Sequence, residues 1–213
     1  DAVPPPVHLT WSPHQLLPRP ATPTRIWLNT DGATITKGAA SDASKLTSYV
    51  CGGIFPAFKH APYGADRTQV LARLAQRVSA YLSPYRVEVV TAKPTSSPYE
   101  MVLVGGSASL CGQAKGVAGL APLDCKDTVA GEIAFAFSDD LTDLDWLALT
   151  VAHEVAHTLG LLHTGEACDV MAPMLCAASK KAFMDQNLPI WPDHQGQCGQ
   201  KKITNSHRAM GLA

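Results

Sequence analysis

The strongest constraint in this chain is the run HEVAHTLGLLH at positions 153–163. Leu147, Thr150, Val151, Glu154, Val155 and Thr158 recur at helical spacing, which predicts a helix over Thr142–Gly160. Thr142 with Asp145 three residues on reads as its capping box. His153 and His157 stand one turn apart, so both imidazoles leave the same helix face. One Zn²⁺ can bind both at about 2.0–2.1 Å. Glu154, rotated by one residue, sits at the rim, able to reach a metal-bound water without being a ligand. Glycine tolerates positive φ cheaply, so Gly160 ends the helix and turns the chain. That turn brings His163 back as a third ligand. Three protein ligands leave one position open, the mark of a catalytic zinc site rather than a closed structural one.

Such a constellation implies hydrolysis without a covalent intermediate. Zinc lowers the pKa of its bound water towards about 7 and polarises a carbonyl. Glu154 is the expected general base, passing the water's proton to the leaving amine. A bare HExxH occurs by chance in unrelated helices. The third histidine, and a glycine where the helix must break, make coincidence much rarer.

Elsewhere the pattern predicts strands at Arg25–Thr30, Arg86–Thr91, Tyr99–Val104 and Glu132–Ser138, with a weaker one at Gly116–Ala121. Val70, Leu71, Leu74, Val78 and Leu82 form a helical stripe over Arg67–Leu82, with Asp66 as N-cap and Pro84 as terminator. Residues 1–24 carry prolines at 4, 5, 6, 13, 18, 20 and 23 and are expected to be an extended arm. Residues 38–64 read as irregular, and a short helix is expected near Thr204–Leu212. The result is an α+β fold of one domain: the arm at 1–24, an upper lobe over 25–163 and a small irregular lower lobe over 164–213.

Cys51, Cys111, Cys125, Cys168, Cys176 and Cys198 form an even set without a CxxC pair. They read as three disulfides rather than a thiolate zinc site, which implies export to an oxidising compartment. Cys111–Cys125 is the favoured local pair, since both lie in one Gly-rich stretch; the other pairings stay open. The first residue is Asp1 rather than Met, which fits a secreted mature form whose signal peptide, and a possible pro-segment, has been removed. A formal net charge of −1 without a basic cluster argues against a nucleic-acid partner. No apolar run reaches the roughly 20 residues of a membrane span.

At the 153–163 motif the chain resembles the metzincin metallopeptidases, whose HExxHxxGxxH is followed by a methionine turn. Met171, in CDVMAP, takes the methionine position, and its spacing looks most like the matrixin branch and small bacterial relatives. The resemblance implies a twisted, mixed five-stranded sheet with two helices above a cleft and a lower lobe with a C-terminal helix. It implies an edge strand at Gly116–Ala121 whose Gly119, Leu120 and Ala121 contact substrate main chain. It also implies that Ala172–Leu175, including Pro173 and Met174, forms the outer wall of the S1′ pocket. Pro173 departs from the tyrosine of serralysins and astacins, and Thr164 from the residues that mark the named branches. The PRCGxPD switch is absent. Cys51-Gly52-Gly53 resembles it faintly, but a disulfide is the better reading of Cys51.

The expected activity is a secreted, monomeric zinc endopeptidase acting on proteins or peptides. A catalytically dead binding module and an amidase for non-protein substrates are the rivals; Glu154 argues against the first, an edge strand beside the cleft against the second. Asp139, Asp140, Asp143 and Asp145 are conceivable calcium ligands, but helix capping and the helix dipole already explain them. His8, His14, His60, His194 and His207 lack ligand spacing and read as surface residues.

Overall fold

The structure, a computed structural model, describes residues 22–212 except 84, 126, 174, 175, 177–179 and 201. Most of the arm, Met174 and Pro84 therefore lie outside the described residues. Strands β1 (Thr24–Asn29), β2 (Ala33–Lys37), β3 (Thr47–Ser48) and β4 (Gly53–Phe55) precede α1 (Arg67–Leu82). Next come β5 (Val87–Val90), β6 (Glu100–Val104), β7 (Gly119–Leu120), β8 (Ile133–Ala136) and α2 (Leu144–Thr158). Strands β9 (Leu188–Pro189) and β10 (Ile203–Thr204) and helix α3 (Ser206–Leu212) follow.

Five strands build one mixed sheet in the order β5-β1-β6-β8-β7. Only β7 runs antiparallel to its neighbour, and it holds an edge. Side chains alternate along a strand. Ile26, Leu28, Val102, Val104, Ala134 and Ala136 therefore share one face and join α1 and α2 in a single core. Trp27, Met101, Leu103, Ile133 and Phe135 take the other face, against Ile35 of β2 and Phe55 of β4. Alanines on the helix-facing side of β8 leave room for α2 to approach. The predicted stripe of α1 is fully buried at Val70, Leu74, Val78 and Leu82, each contributing roughly 1.5–3 kcal/mol. Asp66 caps that helix by accepting the Gln69 N–H at 3.2 Å.

Three expectations need correction. The stretch 38–64 is not wholly irregular: β3 and β4 flank β2 in a small second sheet. Strands of two and three residues are too short to show alternation, and Gly32, at φ 79°, turns the chain into β2. A Cβ there would meet the Phe55 carbonyl at 2.5 Å, so only glycine fits. Second, the cap of α2 is Asp143, not Thr142. Its carboxylate accepts the N–H groups of Asp145 and Trp146 at 2.8 and 2.9 Å, while Asp145 itself pairs with Arg77 of α1.

Third, the bridges are Cys51–Cys111, Cys125–Cys198 and Cys168–Cys176, not Cys111–Cys125. Cys111 packs with Cys51 in the core under the small sheet. Cys125 lies with Leu162, Ile190 and Cys198 in a separate cluster. Nearness in sequence misled because β7 and its approach separate the two. Three disulfides are compatible with an extracellular protein. No helix among the described residues is long and apolar enough to cross a membrane.

Candidate metal centre

Helix α2 is buried at every position except Asp145, Trp146 and His153, so its polar residues face protein rather than water. A polar group in that setting needs a partner or a function. The helix ends in a Schellman turn. Gly160 N–H reaches the His157 carbonyl at 3.0 Å, Leu161 N–H reaches the Ala156 carbonyl at 2.9 Å, and Gly160 takes φ 87°. Leu161 and Leu162 then bury themselves, and His163 folds back beside the helix.

The three histidines meet. His153 Nε2 lies 3.1 Å from both His157 Nε2 and His163 Nε2, and the last two are 3.0 Å apart. Their Nδ1 atoms are engaged elsewhere: His153 with the Val170 carbonyl at 2.8 Å, His157 with the Leu161 carbonyl at 2.8 Å, His163 with Asp193 Oδ2 at 3.0 Å. A carbonyl can only accept, so Nδ1 of His153 and His157 must carry the hydrogen and Nε2 the lone pair. The Asp193 carboxylate imposes the same tautomer on His163. Burial, ahead of the neighbouring rings, holds His153 down to about 3 and His157 well below its ordinary value. Burial lowers His163 too, against the pull of Asp193.

Three lone pairs aimed at one another repel unless a cation lies among them. In a tetrahedral site three nitrogens about 2.0–2.1 Å from one ion stand roughly 3.3–3.4 Å apart, and the triangle here, at 3.0–3.1 Å, is only slightly tighter. The all-imidazole donor set suits zinc. These residues fit the metal the motif implies.

Glu154 is 6% exposed, and burial pushes its carboxyl up to about 8. Gly119 of β7 packs directly on it: a Cβ at 119 would fall 2.5 Å from Glu154 Oε1. Gly119 thus has a reason to be glycine that its spacing did not reveal. Leu120 is half-buried under the small sheet, Ala121 packs against the helical core, and the outer edge of β7 has no strand partner among the described residues. Met171 is fully buried. Ala172 is buried, its carbonyl taking the Lys181 ammonium at 3.2 Å, and Pro173 is exposed.

Four residues of this region carry no sequence signal. Asp169, fully buried, accepts the Met171 N–H at 2.7 Å and the Met184 N–H at 3.0 Å, and bonds Ser206 Oγ. Lys181 Nζ donates to the Asp169 carbonyl at 3.2 Å. Asp193 and His194 contact His163, so His194 is no surface bystander. The aspartates before α2 have protein partners: Asp139 pairs with Lys59 and Asp140 accepts the Ala108 N–H.

No protein-family model and no curated protein matches the chain. A solved structure does. It is archaemetzincin (amzA) from Methanopyrus kandleri, similar at 16% identity over 78% of this chain and 91% of that one, with a TM-score of 0.40. That neighbour carries the archaemetzincin name rather than one from the matrixin branch. The likeness is too loose to bear on function, and the reading below stands on the site.

Gly160 offers a direct check of how the site is built. Gly160→Ala forces a side chain into the left-handed region, which costs roughly 1–2 kcal/mol. Urea unfolding is expected to show that loss, with weaker zinc binding as His163 moves.

Proposed function

We propose that the chain is a secreted zinc endopeptidase of metzincin type. The observation that carries the reading is the convergence of three Nε2 lone pairs, each ring locked through its Nδ1, beside a buried carboxyl. In this reading His153, His157 and His163 hold the metal. Zinc, when bound, supplies a Lewis acid for a water and the scissile carbonyl, and its charge draws the Glu154 carboxyl back towards its ionised form.

Glu154 accepts the proton of the attacking water on a carboxylate oxygen and then delivers it to the departing amine nitrogen. The new C–O bond forms as the carbonyl π bond opens, the C–N bond then breaks as that carbonyl re-forms and the amine takes the proton, and no acyl-enzyme is needed. The free edge of β7 pairs with an extended substrate backbone, through the main chain of Gly119, Leu120 and Ala121. Ala172 and Pro173 wall the S1′ pocket, and Met171 supplies the methionine turn. The catalytic lobe runs over 25–163 and the lower lobe over 164–213, acting as a monomer on proteins or peptides.

Digestion of an unfolded protein, with and without a zinc chelator, tests this. Cleavage is expected to stop with chelator and return on adding zinc. Undiminished cleavage by metal-free protein would overturn the reading.

A further inference from the structure

We propose that Trp191–His194 is a clamp that aims His163 at the metal, with Asp193 and His194 as positioning residues. The inference rests on the zinc-site reading above. His153 and His157 are held by α2, but His163 comes after the Gly160 turn and belongs to no helix or strand. Something else must fix it.

Four contacts do so, all from one short segment. The Trp191 N–H donates to the His163 carbonyl at 3.0 Å. His194 Nδ1 accepts the His163 N–H at 2.8 Å. Asp193 Oδ2 meets His163 Nδ1 at 3.0 Å. The His194 ring stacks on the His163 ring at 4.1 Å and 10°. Backbone donor, backbone acceptor, ring nitrogen and ring face are all taken, which leaves the imidazole no free rotation.

The contacts differ in kind from those at the other two histidines. His153 and His157 lean on neutral carbonyls, whereas His163 has an ionisable carboxylate. Such a partner fixes the tautomer and strengthens the opposite nitrogen as a donor to metal. The clamp is itself anchored. Pro192 restricts its backbone, Gln197 Nε2 donates to the Asp193 carbonyl at 2.9 Å, and Cys198 is bridged to Cys125. Cys125 follows β7 in the chain, so the segment that aims the third ligand is covalently tied to the loop leaving the proposed substrate edge.

The test is zinc affinity, measured on the full chain by competition with a chromophoric chelator, together with the absorption spectrum of the cobalt-substituted protein. Asp193→Ala is expected to weaken zinc binding roughly 10–100-fold and shift the cobalt bands. Its metal-free unfolding midpoint should hold, because the Asp193 side chain is 51% exposed. Asp193→Glu should recover part of the affinity, and His194→Ala should lose affinity as well. Affinities within twofold of the parent in both alanine variants, with unchanged cobalt spectra, overturn the clamp. So does an affinity loss matched by lost metal-free stability and not recovered by Asp193→Glu. A parent chain that binds one zinc tightly but cleaves no peptide overturns the peptidase reading instead and leaves the clamp standing.

Discussion

Glu154→Gln is expected to lower peptide cleavage by roughly 10²–10⁴-fold, the usual contribution of a positioned general base, while zinc stays bound. Glutamine keeps the volume and one acceptor oxygen but cannot take a proton at neutral pH. The conservative exchange matters because of what touches the side chain. Gly119 lies so close that a Cβ there would collide with the carboxyl. Glu154 is also buried at 6% exposure within α2. A larger or smaller residue would disturb β7 as well as the chemistry. Zinc stoichiometry and cleavage rate, measured on one preparation, separate the two effects. Parental cleavage by the glutamine variant would remove Glu154 from the mechanism. Loss of zinc along with activity would instead make it part of the metal's support.

How much of this site was legible in the sequence depended on whether the information was local. His153, Glu154 and His157 share one helix, so a period of 3.6 puts them together without any knowledge of the fold. Gly160 announces the turn by its tolerance of positive φ. The stripe of α1 from Val70 to Leu82 was equally plain, because four residues at helical spacing need only one core to face. Asp193 and His194 had no such signal. They reach His163 from thirty residues downstream through two hydrogen bonds and a stack, and an Asp-His pair beside a proline looks like any exposed turn. Asp169 sat in view beside Met171, yet nothing in the sequence marked it as a fully buried acceptor rather than a turn residue. The three bridges are there, but the Cys111–Cys125 pairing fails for the same reason. Cys111 and Cys125 are neighbours along the chain, but the cores they pack into lie apart.

Asp169 is where the second large effect is expected. Asp169→Ala should destabilise the protein by about 3–5 kcal/mol, the cost of removing one side of a buried charged network. The carboxylate receives the Met171 and Met184 N–H groups and bonds Ser206 Oγ of α3, so its loss strands the Met171 N–H and leaves the Met184 N–H to Ser206 Oγ alone, at 2.9 Å. Each unsatisfied buried group costs roughly 1–3 kcal/mol. It also leaves the buried Lys181 ammonium without the negative charge that favours its ionised form against burial. The damage should reach the metal, since Val170, between Asp169 and Met171, offers the carbonyl that fixes His153 Nδ1. Asp169→Asn retains the volume and one acceptor, and is expected to lose clearly less. Urea unfolding of the two variants, with and without zinc, measures both consequences. If the alanine variant falls within about 1 kcal/mol of the parent, Asp169 does not hold the methionine turn. If it is destabilised as expected but binds zinc as tightly, the turn and the metal are independent.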